Sequence, residues 1–159
     1  TMSCLVSRKK ENPNQIVVTR GYASNKGGMT SSWVYTYEAD RITLTRESIM
    51  QSNDAYNSIF YTNKNKLYRW YNWNASPVLP ETPVISLDEN CEITCFSFTP
   101  DSKRLYLGIY NSRLPDLKGS VYVYDADALD PETNQLKLIK KYEGIADKPI
   151  KVFWKNNRK

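Results

Sequence analysis

The chain contains no histidine. Without an imidazole there is no Ser-His or Cys-His nucleophile activation, and the commonest nitrogen ligand of zinc is missing too. Cysteine is scarce and odd in number, three in 159 residues, so no complete disulfide framework can be drawn. Long apolar runs are absent as well. The longest, Val121–Tyr124, falls far below the roughly 20 residues of a membrane-spanning helix, and below the apolar stretch of a signal peptide. Alanine, the best helix former, occurs only seven times. Neither a Gly-x-Ser-x-Gly elbow nor a Gly-x-x-x-x-Gly-Lys phosphate loop is present, and Gly21 to Gly28 reads as a plain loop.

What the chain has in quantity is sheet-forming residues. Val, Ile, Thr, Phe, Tyr and Trp together number 50, which points to an all-β fold. Leu, Ile, Val and Phe number 35, just above the ~20% below which chains stay disordered, and 20 aromatic residues add area to bury. The formal charge is +5. Its visible clusters, Arg8-Lys9-Lys10 and Lys155 with Arg158 and Lys159, are shorter than the runs of about five or more that mark interaction tails. They read as solvated surface, and no nucleic-acid partner is expected.

Internal repetition organises the rest. Ile16–Arg20 leads through a polar loop to Trp33–Asp40; Ser58–Tyr61 turns through Thr62–Lys66 into Leu67–Tyr71; Arg104–Tyr110 returns as Ser120–Asp127. A further extended run follows each pair: Ile42–Thr45, Pro83–Leu87 and Leu136–Lys140. Tyr35 to Tyr68 spans 33 positions and Tyr68 to Tyr122 spans 54. Those intervals bracket the roughly 40 to 50 residues of one four-stranded propeller blade. The expected fold is therefore about three antiparallel propeller-type blades, over 4–46, 55–87 and 92–142, with 150–154 as one more strand. A sandwich or barrel is the alternative, because evenly spaced short strands serve both.

The most specific local signal is Phe98-Thr99-Pro100-Asp101-Ser102-Lys103-Arg104-Leu105. Proline presets a turn, Asp and Ser bond the nearby backbone, and alternating apolar residues flank them. It resembles the Phe-Ser-Pro-Asp-Gly-Lys-x-Leu hairpin that joins the first two strands of many propeller blades, with Ser102 in the usual place of glycine. Three blades cannot close a ring, which takes at least about four. Together with the opening Thr1-Met2-Ser3-Cys4, this leads to the expectation of an incomplete propeller, a piece of a longer protein or one completed by another copy.

Lys66–Trp70, Glu92–Phe96, Gly119–Asp125, Lys141-Tyr142-Glu143-Gly144 and Val152-Phe153-Trp154-Lys155 together resemble the C-terminal propeller region of the PKD-like lipoproteins of Bacteroidetes. The likeness covers about residues 55 to 159 and is loose before that. It implies an exported, lipid-anchored protein of the outer membrane or cell surface, often encoded with nutrient-uptake receptors and without enzymatic activity or catalytic residues. The anchoring cysteine would lie upstream, because no lipobox precedes Cys4.

The chain offers three candidate sites. Strand alternation puts Tyr68 and Trp70 on one side and Tyr71 and Trp73 near the other, with Asn72 and Asn74 interleaved. Tyr71, Trp73 and Asn74 form the candidate ligand-binding set, suited to a glycan because rings pack on pyranose faces while amides bond hydroxyls. Asn74-Ala75-Ser76 also matches a glycosylation acceptor. Asp125-x-Asp127-x-x-Asp130-Pro131-Glu132 is rich in the oxygens that Ca²⁺ prefers, but its spacing is not that of an EF-hand and it reads as a solvated loop. Cys91 and Cys95, if extended, sit about 13 Å apart and cannot bridge, so buried thiols are expected and no metal site. No cofactor is expected. The function expected is a non-enzymatic binding or scaffolding module with a glycan or surface-protein partner; the alternative is a fragment of a lactonase-like or glycosidase propeller whose catalytic residues lie elsewhere, since pairs such as Glu38 with Asp40 are not specific.

Overall fold

The structure is a computed structural model, which describes residues 2–23, 29–38, 45, 47–53, 58–71, 82–149 and 151–153. The described residues contain strands and turns and no helix. Eleven strands are found among them: β1 (Met2–Arg8), β2 (Gln15–Ala23), β3 (Met29–Glu38), β4 (Met50–Asn53), β5 (Ser58–Asn63), β6 (Lys66–Tyr71), β7 (Ile85–Ser86), β8 (Cys91–Phe98), β9 (Arg104–Asn111), β10 (Gly119–Leu129) and β11 (Leu136–Ala146). They form three sheets in which each strand lies beside its neighbour in sequence: β1-β2-β3, β4-β5-β6-β7 and β8-β9-β10-β11. The pairings described are antiparallel, such as Val6↔Val18↔Tyr35 in the first sheet. Meanders of this kind need only short connections, so chain order alone dictates the pairing. The all-β expectation is met; neither a closed barrel nor a propeller ring is shown.

By its contacts the chain divides into two compact units, 1–63 with 68–82, and 64–67 with 83–159. In the first unit the core gathers Ile16 and Val18 of β2, Ile59 and Tyr61 of β5, and Tyr68 and Trp70 of β6, with Val6 and Met50 against it. Tyr61 and Tyr68 stack with ring centroids 5.3 Å apart and planes 11° from parallel. The unbroken apolar run Ile59-Phe60-Tyr61 is buried on both sides of its strand, as such runs require. Fully burying each of these side chains contributes on the order of 1.5–3 kcal/mol.

In the second unit the hairpin from β8 to β9 forms where the sequence places it. Asp101 accepts from the Thr99 hydroxyl at 2.6 Å and from the Lys103 N–H at 3.0 Å, and the Ser102 N–H donates to the Thr99 carbonyl at 2.8 Å. Ser102 has φ 62°, the left-handed conformation that glycine adopts at least cost. One face of the sheet carries Ile93, Phe96, Leu107, Ile109, Tyr122 and Tyr124, all buried. The Leu136 N–H donates to the Val84 carbonyl and the Ile93 N–H to the Lys64 carbonyl, both at close to 3 Å, so β7 and the turn before β6 are tied to this sheet. On the other face lie Gly108 and Gly119, and the buried Pro149 sits over both. A Cβ at Gly119 would stand 2.8 Å from Pro149 Cδ and 2.7 Å from the Ala146 carbonyl oxygen. Only glycine lets the segment after β11 lie this close.

Several details differ from the sequence expectations. Strand β4 carries no strong apolar signal, and pairing with β5 fixes it. Of the strand expected over 150–154, residues 151–153 are described and are irregular. The run expected at Ile42–Thr45 lies outside the described residues except for Thr45. Cys91 and Cys95 are free and buried, yet they do not share a face as a plain strand would require. The register moves from Ile93↔Ile109 to Cys95↔Gly108, leaving Thr94 as the extra residue of a bulge. Among the described residues no helix is long and apolar enough to cross a membrane.

Candidate functional site

Of the glycan-binding set, Tyr71 closes β6, while its side chain, Trp73 and Asn74 lie outside the described residues. What is described is the strand that leads to them. Leu67, Tyr68, Arg69 and Trp70 are all buried, so β6 is covered on both faces up to the point where the candidate surface begins. Tyr68 and Trp70 join one core, as their alternation predicts. Arg69 escaped the sequence reading. It is 5% exposed, its Nε donates to Ser58 Oγ at 3.3 Å, and its guanidinium lies 5.6 Å from the Phe60 ring centroid. The hydroxyl accepts one of its five N–H donors, and the ring face attracts the cation. The clue in the sequence is a lone Arg between Tyr68 and Trp70, in a strand that pairs with the apolar β5.

The acidic run forms turns. Asp125 accepts the N–H groups of Asp127 and Ala128 at 2.9 Å each and pairs with Arg104 at 3.1 Å. Burial pushes its carboxyl upward, but these backbone N–H groups and the guanidinium outweigh burial and hold it below the usual carboxylate value. Asp130 accepts the Glu132 N–H at 2.8 Å. Among the described residues no group of three or more potential ligands is placed to hold a metal ion.

A polar cluster occupies one end of the C-terminal sheet. The Tyr122 hydroxyl donates to Glu143 Oε1 at 2.8 Å, and the Lys141 ammonium lies 4.8 Å from the Tyr122 ring centroid. Asn90 Nδ2 donates to Asn111 Oδ1 at 2.6 Å. Burial first, then the Glu143 hydrogen bond, pushes the Tyr122 phenol well above its ordinary value; burial does the same to Tyr124. Burial and the nearby Asp88 raise the Cys91 thiol against the pull of Lys141 and Arg113, and burial raises Cys95. These groups stay protonated at neutral pH, which makes the thiols poor nucleophiles and the phenols donors.

The largest described exposed feature is β11 with the residues after it. From Lys137 to Glu143 every side chain is exposed, although the strand is paired to β10 on one edge. Three register irregularities interrupt that pairing. Lysines lie over rings along this stretch: Lys140 over Tyr142 at 4.9 Å, Lys148 over Tyr110 at 5.7 Å and Lys151 over Phe153 at 5.9 Å. The sequence predicts a plain further strand over Leu136–Lys140. The signal available was the pair of lysines at 140 and 141, since one of two adjacent side chains must face the core side of a half-buried strand. Compared with known proteins, the chain matches no family model, no curated protein and no solved structure.

Proposed function

We propose that the chain is a non-enzymatic binding or scaffolding module of an exported bacterial surface lipoprotein, built from propeller-type blades. The observation that supports this reading is the succession of three sheets along the chain, each pairing strands in sequence order. A propeller is assembled from such meanders. The ligand proposed is a glycan, held by Tyr71, Trp73 and Asn74 where β6 ends, with a surface protein as the other kind of partner. The two inner residues of that strand, Tyr68 and Trp70, are fixed in the core and give the site a rigid base.

Two measurements test the proposal. Glycan-array binding by the chain should be lost in Trp73→Ala, and unchanged binding would remove the glycan reading. An incomplete ring leaves apolar blade faces open, so light scattering should show association; a monodisperse monomer would count against three blades.

A further inference from the structure

We infer that β11 and the residues that follow it form a docking surface for anionic lipid headgroups. The inference needs neither a closed ring nor a glycan site, and it stands or falls separately from the proposed function. Between Leu136 and Phe153 the lysines at 137, 140, 141, 148 and 151 are all exposed. Against them stand Glu143 and Asp147, so five positive and two negative charges leave +3 of the chain's +5 in this stretch. Interspersed are Leu138, Ile139, Tyr142, Ile145 and Phe153, between 40% and 67% exposed.

The geometry selects among polyanionic and apolar occupants. Addition of a strand requires a regular ladder, and β11 keeps a continuous register only from Lys140 to Tyr142. A second copy paired antiparallel on this edge would also bring Lys137, Lys140 and Lys141 of each chain close together, which like charges disfavour. Single-stranded nucleic acid binds through stacked rings, whereas three of the five exposed apolar side chains are aliphatic. A headgroup layer accepts both kinds of group, with ammoniums at the phosphates and aliphatic and aromatic parts in the boundary below. It also deforms around both sides of a strand. By register Leu138 and Lys141 lie on the side of Tyr124 and Tyr122, while Lys140 and Tyr142 lie on the side of Val123 and Val121. A rigid flat partner meeting one side would miss half of them.

The test is sedimentation of the full chain with vesicles of phosphatidylcholine alone or mixed with phosphatidylglycerol. Partitioning should be at least about tenfold stronger on the anionic vesicles and should fall with added salt. K140E/K141E should weaken it by at least about 30-fold, at ~1 kcal/mol for each lysine near such a surface. Lys141 also covers the Tyr122 ring, so circular dichroism must show native structure in that variant; K137E/K151E reads the same charge without that contact. I145S/F153S, with its charge intact, should also weaken binding. Equal partitioning on both vesicle types, wild-type binding by the charge-reversed variants, or binding to an oligonucleotide or an acidic peptide without vesicle binding would each overturn the inference.

Discussion

The close approach of Gly108 to Cys95 gives the sharpest prediction about packing. A Cβ at Gly108 would overlap Cys95 Sγ and stand 3.0 Å from Pro149 Cβ. The sulfur has little room to swing aside, because Cys95 is 7% exposed and lies within 3.8 Å of the Thr94 hydroxyl that donates to it. Gly108→Ala therefore overpacks a buried site, at about 1–3 kcal/mol, against which alanine recovers about 0.5–1 kcal/mol of backbone entropy. Taking the middle of each range, about 2 against about 0.75 kcal/mol, the net loss should be about 1 kcal/mol, or roughly 2–4 °C in Tm for a chain of this size. Cys95→Ala alone should cost on the order of 1 kcal/mol for the buried sulfur and the space it leaves. In the double variant the new methyl fills that space, so the two losses should fall short of adding by about 1 kcal/mol or more. Urea denaturation of the four proteins, followed by circular dichroism, measures this coupling. Strict additivity, or a Gly108→Ala variant as stable as the parent, would refute the packing argument.

Other perturbations follow from the same structure. Ser102→Gly relieves the left-handed φ of 62° and should raise stability by about 0.5–1 kcal/mol in a urea titration. Tyr122, Tyr124, Cys91 and Cys95 all have raised folded-state values, so their contribution is complete below the ordinary thiol and phenol values of 9.0 and 10.0 and is lost as pH rises beyond them. Urea midpoints should fall above about pH 9, and Tyr122→Phe should flatten that fall. For Asp125 the sign is opposite. Its lowered value gives stability that is present above the ordinary 3.8 and is lost on acidification below it, so Asp125→Asn should weaken the acid dependence of the midpoint.

Much of the sheet structure was legible in the sequence. Turn chemistry at Thr99–Lys103 and the alternation of β9 and β10 place the third meander, and Tyr68 with Trp70 reveal a core face. Other features were hidden for physical reasons. β4 reads Met-Gln-Ser-Asn, which has little preference of its own and becomes a strand by pairing with β5. Bulges at Thr94 and Ile139 change which side each later residue faces, and side-chain alternation cannot register an inserted residue. Arg69 stands between two core residues in the sequence, but its contacts Ser58 and Phe60 lie eleven and nine positions away, so the local pattern does not name them. Of the candidate glycan site, only the strand beneath Tyr71 is described, and the burial of Tyr68 and Trp70 follows from the alternation already visible there.

The single inserted residue at Thr94 has an experimental use. It turns the thiols of Cys91 and Cys95 to opposite sides of one sheet, so each is a chemical clock for the layer that covers it. Mass-resolved alkylation at the two positions would time the opening of those layers independently, in the unaltered chain and without an engineered cysteine.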